Sequence, residues 1–507
     1  MASDAVSNER VSRITGYKIK KGDFRLQSPN LPQRIALLGE ANDANQALLN
    51  TSAPVQILSA KQAGELYGYG SPIYHILRIL KPISGDGVGG IPIFVYPQAK
   101  AAGAVAKQVR IIPAGTATKN GTHIIKISGR ESIDGSSYAI NIEAGDNVAT
   151  ICEKIVNAVN AVIGSPVTAI DYDYQVVAKA KWSGLTSNDL NIEVITEENN
   201  NVGVTYTVNT LAAGSGTPDI AAALSQFGSD WNTIVINSYG TVASVMTALE
   251  NFNGIADSDN PTGRFRGTIM KPFIAITGTV ADDPSSIFDA RSSQMTIAGA
   301  CAPGSKAFSF EAAANYTLLQ AIRAQDKPHL DISGQSLPDM PAPSSIGSMA
   351  TYDNRDAFVK KGCTTVDLVA GRYQIQDFVT TYHPSGENPP QFRYVRNIFL
   401  DLNVYYGYYL LQETNVRDKV IAADDDNVQQ SEVIKPKNWK QLVKSYADDL
   451  AARALITQPD FMKDSIEVNL SSSNPDRLET FFRYKRSGIA RIASTDAEAG
   501  FNFGSEN

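Results

Sequence analysis

Strand and helix patterns alternate from residue 33 to about residue 100, give way to a run of short alternating segments, and resume after residue 213. That interruption constrains the fold most, because two halves of one layered core must close around an insertion. Gln33-Arg-Ile-Ala-Leu-Leu-Gly-Glu40 reads as a buried strand, and Pro72 opens a helix with Ile73, Ile76, Leu77 and Leu80 on one face. Ile91–Tyr96 reads as the next buried strand. The pattern resumes with helices over Ile220–Phe227, Thr241–Phe252 and Phe308–Arg323 and strands over Thr233–Asn237, Thr268–Thr277 and Gln294–Ala300. Pro328–Gly347, rich in proline and serine, reads as an ordered loop before strands at 364–369 and 372–382. The core expected from this order is α/β, built from residues 26–100 and 213–385.

Between those halves, period-two alternation predicts strands at 108–113, 122–127, 137–143, 166–172, 174–181, 190–196 and 202–208. One helix interrupts them, capped by Asp146, with Val148, Ile151, Cys152, Ile155, Val159 and Val162 on its face. The small-residue stretch Leu211–Thr217 closes the segment. Residues 101–212 are therefore expected to be an inserted β-rich domain.

The last third changes character. An amphipathic helix is expected over 394–413, and a second begins at Pro436 with Trp439, Leu442, Val443, Tyr446 and Leu450 as its stripe. Alternation over Ser465–Leu470 and Arg477–Lys485, around the turn Ser472-Ser-Asn-Pro-Asp476, signals a hairpin. These pieces make residues 386–486 a C-terminal α+β domain. Residues 1–25 and 487–507 show no core of their own and read as extended arms, so the fold class is a multidomain mix of α/β and α+β.

Composition narrows the function. The chain carries 45 basic and 52 acidic residues, a net of −7, which argues against nucleic-acid binding by the bulk of it. Residues 9–25 and 477–491 are each net +4, leaving the rest at −7 − 8 = −15. Basic ends on an acidic body can dock onto other copies by charge complementarity; incidental solvated charge is the plain alternative. No apolar run approaches the roughly 20 residues of a membrane span, and the first ten residues lack the apolar core of a secretory signal. A soluble protein without membrane partners is expected. Cys152, Cys301 and Cys363 are more than sixty residues apart and fit buried thiols rather than a disulfide framework. His75, His123, His329 and His383 are equally scattered, so no cofactor or metal is expected.

No catalytic constellation assembles. The loop Ser84-Gly-Asp-Gly-Val-Gly-Gly90 follows a helix and opens a strand, the reverse of a dinucleotide fingerprint, and reads as a structural turn. Gly334-Gln-Ser336-Leu-Pro338 lacks the final glycine of a nucleophile elbow. Asp171, Asp173 and the run Asp424–Asp426 lack the glycine and terminal glutamate of a calcium loop. His383, before Pro384, reads as a loop histidine, and the cluster Tyr405, Tyr406, Tyr408 and Tyr409 as core packing, with an interface face as the alternative.

The order of pieces resembles the tail sheath proteins of contractile bacteriophage tails, on the Mu-like branch. The likeness is carried by Ile35-Ala-Leu-Leu-Gly-Glu40, Leu66-Tyr-Gly-Tyr-Gly-Ser-Pro72, Tyr138-Ala-Ile-Asn-Ile-Glu-Ala-Gly-Asp146 and Asp230-Trp-Asn-Thr-Ile-Val235, then Arg372–Tyr382, Ile434-Lys-Pro-Lys437 and Asn474-Pro-Asp-Arg-Leu478. The basic, aromatic tail after Gly488 is longer than the family pattern. The resemblance implies a non-enzymatic virion subunit, assembled in the host cytoplasm, that polymerises as stacked six-fold rings around a tail tube. It implies contraction on a baseplate signal, genome ejection into the host cell, and as partners other copies of itself, the tube protein, the baseplate and the tail terminator. The inserted domain would face outward and the C-terminal domain the tube.

Extended arms suit that role. Twenty-five extended residues span up to about 80 Å, whereas a body of about 250 residues has a radius of gyration near 18 Å. An arm can therefore add a strand to a neighbour's sheet by β-augmentation, a head-to-tail contact that builds a helical filament. Ile14, Tyr17, Lys18 and Ile19, and Arg486, Ile489, Arg491 and Ile492, are the candidate arm residues. Ile466, Val468, Leu470, Phe482 and Tyr484 are the candidate receiving hairpin. The competing reading is a hydrolytic or nucleotide-dependent α/β enzyme with a β-rich accessory domain.

Overall fold

The computed structural model describes residues 29–197, 199–256 and 259–499. The arm candidates Ile14, Tyr17, Lys18 and Ile19 lie outside the described residues. Five apolar runs form a parallel sheet, ordered Ile297–Cys301, Ile274–Thr279, Ile234–Asn237, Ile35–Glu40, Ile93–Gln98, and Val55–Ile57 adds an antiparallel edge. Both faces of a parallel sheet are covered, which is why these strands read as continuous apolar runs. Alternate residues enter opposite cores: Ile35 and Leu37 pack with the helices Pro72–Leu80 and Ser309–Asp326, and Ala36 and Leu38 with Ala243–Asn253. Gly278 permits that layering, since a Cβ there would lie 1.7 Å from the Ser309 carbonyl oxygen.

The α/β expectation for this core is met, with shifts at the ends. Pro92 precedes the strand Ile93–Gln98, and the helix expected at Ile220–Phe227 shortens to Ala221–Ser225. The strand expected over 372–382 stops at Asp377; beyond it only single bridges form, Val379 to Tyr394 and Thr380 to Ala298. Two helices carry too little apolar pattern to stand out. Ala60–Tyr67 buries small residues plus Tyr67, and Tyr352–Lys360 buries only Val359. Both have hydroxyl caps, Ser59 accepting from the Gln62 N–H and Thr351 from the Asn354 N–H.

All seven strands expected between residues 101 and 212 are present. Thr205–Ala212, Gln108–Ala114, Val176–Ala180 and Val167–Asp171 form one antiparallel sheet; Ile192–Ile195, Gly121–Ile127 and Ala139–Ile142 form another. Neither shares a strand with the parallel sheet. The helix Val148–Ala161 is capped by Asn147, whose Oδ1 accepts the Thr150 N–H at 3.0 Å, and not by Asp146. Asp146 instead accepts the Glu143 N–H and pairs with Lys154 at 2.7 Å.

The described residues divide into two compact units, Gly407–Lys485 and Asn30–Tyr406 with 486–499, the division falling inside the helix Val395–Asn415. In the smaller unit the helix Pro436–Ala452 buries Trp439, Val443, Tyr446 and Leu450. The expected hairpin forms from Glu467–Leu470 and Leu478–Phe481, in register from Glu467 opposite Phe481 to Leu470 opposite Leu478. Trp439 Nε1 donates to Thr480 Oγ1 at 3.0 Å, tying hairpin to helix.

Candidate functional site

The five parallel strands run 2-1-3-4-5 in space when numbered along the chain. Such doubly wound sheets bind ligands beyond the strands' carboxyl ends, where the order reverses. Here that point lies between Ile35–Glu40 and Ile234–Asn237, and the inserted segment fills it. Trp182 is fully buried 5.4 Å from the Phe308 ring, and its Nε1 donates to Thr186 Oγ1 at 2.8 Å. Thr186 Oγ1 in turn donates to Glu40 Oε2 at 2.8 Å. A Cβ on Gly184 would lie 2.7 Å from Glu40 Oε1, so only glycine lets the backbone come this close. Glu40 is 1% exposed, and burial pushes its carboxyl up to about 8 against the Thr186 hydrogen bond, with Asp43 adding to the rise. Asn237 spends its amide on Gly240 and Thr277 and accepts the Tyr239 N–H. The crevice is a packed joint between core and insertion rather than an open ligand site.

A second joint lies at the start of the helix Ser309–Asp326. Glu311 is buried, accepts the Phe308 N–H at 3.2 Å, and pairs with Arg130 of the insertion at 2.8 Å and with Arg78 at 3.3 Å. Arg78 also meets Asp339 at 2.8 Å. His75 Nδ1 is 3.7 Å from Glu311, but burial first, and the Arg78 and Arg130 charges next, lower its pKa well below the usual range and keep it neutral. Asp189 of the insertion accepts the Ser309 N–H at 2.9 Å. These contacts fasten the insertion to the core.

The residues weighed for chemistry are occupied structurally. The glycine loop makes a tight turn in which Val88 N–H donates to Leu80 O at 2.9 Å. It borders a groove of about 930 Å³, where Arg34 is held by Asp230 at 2.6 Å. Ser336 sits in an extended bridge to Gln374. Asp171 accepts the Asp173 N–H, Asp424 the Lys437 N–H and Asp426 the Ala423 N–H, so these carboxylates shape turns. His383 is engaged at both ring nitrogens, by Thr381 O at 2.7 Å and Asp289 at 3.0 Å. His123 meets the Tyr206 hydroxyl at 2.7 Å. Cys301 and Cys363, 62 residues apart in sequence, bring their Sγ atoms to 3.9 Å, and all three cysteines are buried and free. Among the described residues no group of three His, Cys, Asp or Glu could hold a metal ion, and no helix is long and apolar enough to cross a membrane.

Tyr405 packs on Trp231 at 5.7 Å, Tyr408 on Trp439 and Phe482, and Tyr409 is 40% exposed. Of the hairpin residues, Ile466 is buried in its own unit, Val468, Phe482 and Tyr484 are half-buried and Leu470 is exposed. Phe481, which sequence reasoning passed over, is 49% exposed opposite Glu467. Its place one residue before Phe482 gave the signal, since neighbours on a strand face opposite ways. Each hairpin strand has one strand partner among the described residues. Arg486 and Arg491 are paired with the body, Ile489 is half-buried and Ile492 is exposed; residues 487–499 form no helix or strand.

No family model matches the chain. Among curated proteins, the Mu-like prophage FluMu tail sheath protein of Haemophilus influenzae is 20% identical over 457 residues, covering 89% of each chain. Among solved structures, the sheath tail protein from Desulfitobacterium hafniense aligns at a TM-score of 0.46 and 11% identity over 93% of this chain and 100% of that one. The sheath tail protein Lin1278 from Listeria innocua gives 0.44 and 12% over 91% and 94%. A chain of the anti-feeding prophage baseplate gives 0.44 and 10% over 97% and 100%. The class to which this chain is similar in sequence is that of tail sheath proteins. Within it the sequence relationship is to the Mu-like kind, which bears out the resemblance drawn from the sequence and leaves the enzyme reading without support.

Proposed function

We propose that this chain is a structural subunit of a contractile phage tail sheath, polymerising as stacked hexameric rings around a tail tube and shortening to drive the tube through the host envelope. The observation that carries this is a sequence relationship to a Mu-like tail sheath protein along 89% of both chains. The filled crevice adds weight, because the place where an α/β enzyme would bind its ligand is a packed joint. The partners on this reading are other copies of the chain, the tube protein, the baseplate and the tail terminator. Assembly takes place in the host cytoplasm and the finished subunit resides in the virion. Residues 101–212 form the outer domain, residues 386–486 face the tube, and the two terminal segments are arms between copies. Contraction is then a shift between two packings of rigid bodies and needs no nucleotide. Negative-stain microscopy of the purified chain tests the proposal: tubes or rings are expected, and discrete particles without rings at every concentration would contradict it.

A further inference from the structure

Residues 486–491 are fastened to the larger unit by three arginines. Arg486 makes a two-pronged pair with Asp401, Nε to Oδ1 at 2.8 Å and Nη2 to Oδ2 at 2.6 Å. Arg396 reaches from the helix Val395–Asn415 to Ser487, donating to its carbonyl oxygen at 2.5 Å and its hydroxyl at 2.6 Å. Arg491 enters a groove of about 650 Å³, where it pairs with Asp331, lies 3.3 Å from Asp377 and 3.4 Å from Ser333 Oγ, and stacks 3.6 Å over the Tyr394 ring. The Asp331 side chain is almost wholly buried. Two carboxylates at one guanidinium, with an aromatic face beneath it, form a site that fits arginine's planar fork better than lysine's point charge. One residue further on, Ile492 is 88% exposed, and 493–499 are exposed throughout.

We propose that Arg491, seated in the socket of Asp331, Asp377 and Tyr394, is the positioning residue that sets where the C-terminal segment leaves its own body to reach a neighbouring copy. This rests on the sheath reading above. Departure at residue 492 instead of 487 removes five residues of slack, about 17 Å of reach, so the segment is aimed rather than loosely tethered. The socket makes the exit point part of the rigid body, and a body that turns during contraction carries the exit with it.

The test uses full-length chain with a nitroxide on Ser494→Cys, the native thiols being buried. In Arg491→Gln, and in Asp331→Asn/Asp377→Asn, the label's correlation time is expected to fall about threefold or more. Sleeve yield by microscopy should drop about fivefold while the monomer's unfolding midpoint holds. Arg491→Lys should restore part of both readouts. If Arg491→Gln does not fold, the double asparagine variant gives the same reading, because it removes both carboxylates and the freed Arg491 can turn out to solvent. Unchanged label mobility, or a loosened label with normal sleeves, would overturn the proposal. A chain ending at Arg491 separates the two ideas: normal sleeves from it would sink the arm reading itself, whatever the label reports about the socket.

Discussion

Thr186 of the insertion donates its hydroxyl to Oε2 of Glu40, the last residue of the central core strand, at 2.8 Å. Burial holds Glu40 protonated with a pKa near 8, against a usual 4.5. The folded chain therefore binds a proton that the unfolded chain releases above pH 4.5. Stability from this group is complete below pH 4.5 and is lost as pH rises through 8. Glu40→Gln keeps the shape and cannot ionise. Thermal unfolding should show wild type and Glu40→Gln alike at about pH 4, with the variant about 2 °C or more higher at about pH 8.5. Parallel curves across that range would contradict the assignment.

The Glu311 joint predicts a contrast between two carboxylates that meet the same arginines. Glu311→Ala removes the buried carboxylate that both Arg78 and Arg130 meet and should cost about 3 kcal/mol in denaturant unfolding. Asp339→Ala removes a 41% exposed partner and should cost about 1 kcal/mol or less. Equal losses would show that burial does not set the strength of this joint.

Salt should act on assembly through the N-terminal segment. Near the other end, Arg477 pairs with Glu479 at 3.0 Å, Arg486 with Asp401, and Arg491 with Asp331 and Asp377. Much of that positive charge is thus neutralised within the chain, whereas Lys18, Lys20 and Lys21 belong to a segment net +4. Light scattering should show sleeve formation weakening between about 50 and 500 mM NaCl. Lys18→Gln/Lys20→Gln/Lys21→Gln should flatten that dependence and Arg477→Gln should not. A salt response retained in full by the triple variant would refute this assignment.

Deleting residues 1–20 should leave a folded chain that forms no sleeves. The unfolding transition should match that of the full chain, because residues 1–25 carry no core-forming apolar pattern of their own. Normal sleeves from this truncation would remove the N-terminal arm from the account.

The architecture was legible where packing imposes a period. Runs such as Ile35–Glu40 bury every residue, and the alternation in the insertion mapped onto two antiparallel sheets. Ends were less legible, because capping turns on one side chain: Asn147 and Asp146 are both good caps, and the structure uses the aspartate elsewhere. The joints were not legible at all. Glu40 and Thr186 are 146 residues apart and Arg130 and Glu311 are 181 apart, and no local pattern encodes such a meeting. Cys301 and Cys363 teach the same point, since distance in sequence said nothing about their approach. The hairpin at 467–481 was readable from alternation and turn chemistry, but which aromatic it exposes depends on register, and that placed Phe481 outside.

A near-atomic map of sleeves grown from the full chain tests the central claim most directly. The account predicts density for residues 14–19, and for residues beyond 491, lying as added strands against the 467–481 hairpin of another copy. Both termini folded onto their own molecule, with no contact to a neighbour, would contradict it.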